Sequence, residues 1–106
     1  MPFTRVATVD QLADGALMEV LVDGREVCLA RVGADFFAIS NICSHMHAWL
    51  DGGDVLPATN EVQCPLHNSR FSLRTGEPTG APATEPIDTF AVRVEGAAIL
   101  ISLDEE

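Results

Sequence analysis

Short stretches rich in Val, Ile, Leu and Phe recur along the chain between polar turns. They run Thr4 to Ala7, Ala16 to Val22, Arg25 to Val32 and Phe36 to Ser40. Each is bounded by Gly, Asp or other turn formers, the pattern of β-strands rather than of amphipathic helices. Asp23-Gly24, between two of them, is a strong signal for a two-residue hairpin turn. A polar turn is expected over Asp10 to Gly15, and a second reversal at Gly33-Ala34-Asp35.

From Asn41 to about Thr84 the pattern weakens. This segment reads as loop-rich, with short strands expected only at Glu61 to Gln63 and Arg70 to Leu73, the latter followed by a turn at Arg74-Thr75-Gly76. The strand pattern returns at Thr89 to Val94 and Ala97 to Leu103, separated by Glu95-Gly96, and the chain closes on a solvated Asp104-Glu105-Glu106 tail. The expected organisation is one all-β domain over 1–106. Residues 1–40 and 85–106 form its framework, and 41–84 is an insert. Loops carried on a rigid scaffold are where function concentrates.

With 106 residues the chain has room for one modest core, which a bound metal centre could help to stabilise. Six basic against sixteen acidic residues leave a net charge of −10. Such a surface disfavours nucleic acid and anionic membranes, and suits a basic protein partner. No leader pattern opens the sequence, and its longest apolar run, Ala97 to Ile101, is far too short for a membrane span. A cytoplasmic protein is the expectation. Three cysteines make a poor disulfide framework, so Cys near His points to metal.

The insert holds Cys43-Ser44-His45 and Cys64-Pro65-Leu66-His67, each pairing a thiol with an imidazole. The eighteen residues between His45 and Cys64 let two loops fold toward a shared centre. Two Cys and two His suit tetrahedral zinc. The order Cys, His, Cys, His also suits a cluster with two distinct irons, one bound by both thiolates and the other by both imidazoles.

These two motifs resemble those of Rieske proteins, and the chain is most similar to the Rieske ferredoxins of bacterial aromatic-ring dioxygenases. Asp51-Gly52-Gly53 and the run from Arg70 to Pro78 extend the likeness, as do the flanking strands. The resemblance implies an antiparallel β-sheet sandwich carrying the insert as a cluster-binding subdomain. It implies one [2Fe-2S] cluster on Cys43, His45, Cys64 and His67, with the histidines near the surface and a covering loop at Gly80-Ala81-Pro82-Ala83. It further implies a one-electron carrier, not an enzyme, between an NAD(P)H-dependent flavoprotein reductase and a terminal ring-hydroxylating oxygenase, both docking transiently near His45 and His67. No nucleophile–base pair stands out in the sequence. The two rivals are the small Rieske-like subunit of a nitrite reductase and a structural zinc module.

Higher-potential relatives carry a disulfide across their cluster loops and a tyrosine beside the cluster. Ala48, Leu66 and Phe71 stand at the matching positions here. Fewer hydrogen bonds to sulfur lower the potential, so a value of about −150 to 0 mV is expected. Ser69, two residues after His67, is either a donor to a bridging sulfide or a solvent-facing loop residue. His47 competes with His45 only at an atypical spacing and reads as an exposed loop residue. Cys28, inside a strand, reads as a buried inert thiol. Trp49 and Leu50, with Met46, are either a cap over the insert's core or an exposed contact for a partner. Asp51 and Asp54 read as solvated turn residues rather than specific docking charges.

Overall fold

The computed structural model describes residues 3–43, 48–66, 68–81 and 83–103. Among them, ten strands pair antiparallel in two sheets. The larger sheet contains β1 (Thr4–Thr8), β2 (Leu17–Val22), β3 (Arg25–Val32), β4 (Asp35–Ser40), β9 (Thr89–Glu95) and β10 (Ala98–Ser102), in the order β1-β10-β9-β4-β3-β2. Its edges, β1 and β2, approach each other, so the sheet curls around a core of its own. The smaller sheet contains β5 (Asp54–Leu56), β6 (Glu61–Gln63), β7 (Arg70–Ser72) and β8 (Pro78–Gly80), in that order.

The hairpin expected at Asp23-Gly24 is present. Val22 pairs with Arg25, and the two turn residues take φ of 51° and 80°. Positive φ at both central positions defines the turn whose twist matches that of the flanking strands. Two-residue loops also join β3 to β4 and β9 to β10. The stretch expected as a polar turn before β2 holds more structure than its composition suggests. A 3-10 turn spans Val9–Gln11, Leu12 is buried, and Arg31 Nη1 on β3 donates to the carbonyls of Val9 and Leu12.

β3 is where the two halves of the molecule meet. Successive strand residues face opposite sides, and here both sides are buried. Val27 and Leu29 point into the framework core with Ala7, Val22, Phe90, Ile99 and Ile101. Cys28 and Ala30 point into a second core, joined by Ile39 from β4 and by Leu50, Val62, Phe71 and Leu73. This accounts for the unbroken apolar run Val27 to Ala30, which a one-sided strand would not carry.

The 41–84 segment is more regular than its sequence predicts. β5 and β8 were not expected, because three-residue strands flanked by Gly and Pro show no alternation. Among the described residues, no helix is long and apolar enough to cross a membrane.

Candidate metal centre

β4 ends at Ser40 and delivers Asn41, which is fully buried. Its side-chain amide donates to Glu19 Oε2 on β2 and to Asp51 Oδ1, both at 2.9 Å. Its Oδ1 accepts the Asp51 N–H at 2.8 Å, and its backbone carbonyl accepts the Leu50 N–H at 2.8 Å. A buried amide so fully partnered fixes its neighbours, because leaving any of these groups unpaired would cost desolvation energy. Asn41 thereby ties residues 50–51 to the end of β4, beside Cys43.

The two cysteines occupy equivalent places. The Cys43 N–H donates to Ala48 O at 2.9 Å, and the Cys64 N–H donates to Ser69 O at 2.7 Å. Each cysteine therefore opens a loop closed by a bond to the residue five positions on. In the first loop a bridge between Ile42 and Trp49 reinforces the closure. In the second, Asn68 takes a φ of 58°, a conformation that Asn tolerates better than most residues. Gly53 brings the loops together: a Cβ there would lie 1.9 Å from the Gln63 carbonyl oxygen, so only glycine permits this approach.

Cys43 and Cys64 are both buried, in the core shared with Val62 and Phe71. Burial pushes the Cys64 thiol up and the adjacent Cys43 sulfur adds to this, against a lowering hydrogen bond from the Leu66 backbone. None of the three cysteines is in a disulfide. Ser69 Oγ is buried with no hydrogen-bond partner among the described residues, which a hydroxyl rarely tolerates. Two facing thiols and an unsatisfied hydroxyl beside the second loop fit an iron–sulfur cluster, whose sulfides accept weak hydrogen bonds. His45, His47, His67, Met46 and Pro82 of the covering loop lie outside the described residues.

The Rieske [2Fe-2S] domain family matches residues 3–91. The chain belongs to that family. It is 34% identical to the ferredoxin component of the naphthalene 1,2-dioxygenase system of Pseudomonas aeruginosa, over 88% of each chain. Among solved structures, the ferredoxin of carbazole 1,9a-dioxygenase from Nocardioides aromaticivorans IC177 superposes with a TM-score of 0.93. The identity is 44%, over 96% of this chain and 98% of that one. A ferredoxin solved in complex with reduced oxygenase in carbazole 1,9a-dioxygenase superposes at 0.90 with 26% identity, over 98% and 95% of the two chains. This Rieske protein carries one [2Fe-2S] cluster, and it is an electron carrier rather than an enzyme.

Other sequence expectations divide. Trp49 and Leu50, read together, separate: Leu50 is fully buried, whereas Trp49 is 47% exposed and donates its indole N–H to Glu26 on β3. Asp51 is no solvated turn residue but a partner of Asn41. Cys28 is buried, its thiol pushed up to about 12 by burial and then by the Asp51 and Glu19 carboxylates. Its side chain packs in the core that holds Cys43 and Cys64. Asn41 went unnoticed in the sequence. An Asn at a strand end is ordinary, and its carboxylate partners are ten and twenty-two residues away.

Proposed function

We propose that Cys43 and Cys64 bind one iron of the cluster and His45 and His67 the other. The chain then passes single electrons from an NAD(P)H-dependent flavoprotein reductase to a terminal ring-hydroxylating oxygenase, docking each near His45 and His67. The reading also treats the chain as one Rieske domain, with 41–84 as the cluster unit, working in the cytoplasm. It rests above all on the matched loops: two buried, facing thiols, each at the base of a loop closed in the same way, each opening a Cys–His motif. The oxygenase complex of a 26% identical ferredoxin supports the choice of acceptor.

When bound, the cluster supplies a one-electron couple, uncharged in its oxidised form if both imidazoles are neutral. The chain's own residues do the rest. Cys43 and Cys64 hold their thiolates in an apolar core, Asn41 fixes the first loop, and Gly53 lets the second approach it. Electron paramagnetic resonance after dithionite reduction, with iron and zinc assayed on the same sample, tests the ligand set. A rhombic signal averaging below the free-electron value, with two irons per chain, is expected. It should vanish in His45→Ala and His67→Ala and persist in His47→Ala. A zinc-bound, silent protein after anaerobic reconstitution would overturn the proposal.

A further inference from the structure

Between the two ligand-bearing loops lies an open groove of about 310 Å³. Ala48, Trp49, Asp51 and Gly52 form its wall on the first loop, and Pro65 and Leu66 its wall on the second. Among the described residues, large apolar side chains exposed to this degree are few. Trp49 and Leu66, at 47% and 46%, are two of them, and they line the same groove. Among the described residues that line it, the rest of the wall is largely apolar and Asp51 carries the one charge.

That carboxylate is held in place. Asn41 donates to Asp51 Oδ1 and accepts the Asp51 N–H, while Asn41 itself is fully buried. Asp51 Oδ2 takes no bond from the described residues, so it can accept one from outside. A fixed carboxylate beside an indole face and aliphatic surface is suited to a long cationic side chain. Its stem would lie on Leu66 and Pro65, and its head would meet Asp51. Glu26, bonded to the Trp49 indole, contributes further negative charge at the rim. The chain's net charge of −10 favours a basic partner surface in the same sense.

We propose that this groove receives an arginine or lysine side chain of the terminal oxygenase, so that Asp51, Trp49 and Leu66 determine which acceptor the carrier fits. The proposal rests on the electron-carrier reading above and adds a specific point of recognition to it.

The test is reoxidation of the dithionite-reduced holoprotein by the oxygenase component of the Nocardioides carbazole dioxygenase, followed by stopped flow over a range of oxygenase concentrations. Asp51→Asn should raise the half-saturating concentration roughly fivefold, the effect of losing an ion pair at the upper end for exposed pairs. The limiting rate should stay unchanged, and any shift in the cluster potential, read by voltammetry on the same variant, should be too small to account for the change in half-saturation. Leu66→Ser, which leaves the Asn41 bonds alone, should raise the same concentration without altering the resonance spectrum. Asp54→Asn removes an equal charge from an exposed site outside the groove and should have a much smaller effect. An Asp51→Asn effect no larger than that of Asp54→Asn would reduce the groove to general steering and overturn the proposal. So would a slower Asp51→Asn reaction explained by a shifted potential. A wild-type carrier that holds a reducible cluster but transfers nothing would instead remove the acceptor reading on which the groove depends.

Discussion

The six-stranded framework and the four-stranded cluster unit are built on different principles. The framework strands run five to eight residues and enclose an aliphatic core of Val27, Leu29, Ile99 and Ile101 among others. The cluster unit has strands of three residues each, too short to be stable alone, and two of its core residues are the cysteines themselves. Its remaining support is polar and backbone-derived: Asn41, the paired loop closures and the close approach at Gly53. The framework is stabilised chiefly by burial. The cluster unit leans on the framework from outside and on its metal from within.

Removing the metal should break the comparison most sharply. Cys64→Ser is expected to abolish the cluster spectrum completely. Hydrogen exchange should then show protection lost at Val62 and Phe71 while Leu29 and Ile99 stay protected. Equal loss in both regions would mean that the framework also depends on the cluster.

Core truncations sharpen it next. Ile99→Ala should cost about 2–5 kcal/mol of unfolding free energy, and Phe71→Ala about 3–5 kcal/mol. The two differ in what fails first during denaturant titration. Ile99→Ala should lose the cluster absorbance and the far-ultraviolet signal together, and Phe71→Ala should lose the absorbance earlier.

Alkaline pH probes the wall between the halves. The buried Cys28 thiol is pushed from 9.0 up to about 12. Below pH 9 it is protonated in both folded and unfolded chains and costs nothing. As pH rises from 9 toward 12 only the unfolded chain releases the proton, so stability falls by about 1.4 kcal/mol per pH unit. Urea titrations at pH 8 and pH 10 should show this loss, and Cys28→Ala should remove its contribution.

The smallest expected effect is at Ser69. If its orphaned hydroxyl donates to the cluster, Ser69→Ala should lower the midpoint potential by roughly 20–60 mV, the one-electron equivalent of a hydrogen bond worth about 0.5–1.5 kcal/mol. An unchanged potential by voltammetry would remove that role.

The same contrast explains what could be read in advance. Framework strands announce themselves through runs rich in Val, Ile, Leu and Phe and through turn chemistry such as Asp23-Gly24. The cysteine motifs announce themselves by spacing. β5 and β8 do not, because three residues cannot display a period. Asn41 and Asp51 do not either, because their roles arise from partners distant in sequence. Trp49 and Leu50 show the limit most clearly: neighbours with similar hydrophobicity, one wholly enclosed and one facing outward, separated by a 3-10 turn that no local signal marks.

The double-sided burial of β3 bears on protein engineering. Transplanting 41–84 onto another barrel looks like a loop graft, since both ends of the segment leave and rejoin neighbouring strands. Yet the floor beneath the grafted piece belongs to the recipient, through Cys28, Ala30 and Ile39. A chimera must import those three side chains along with the loops. It must also keep Val27, Leu29 and Ala38, their strand neighbours on the opposite face. Donor and recipient are therefore interchangeable only where their β3 and β4 strands already agree in volume on both sides.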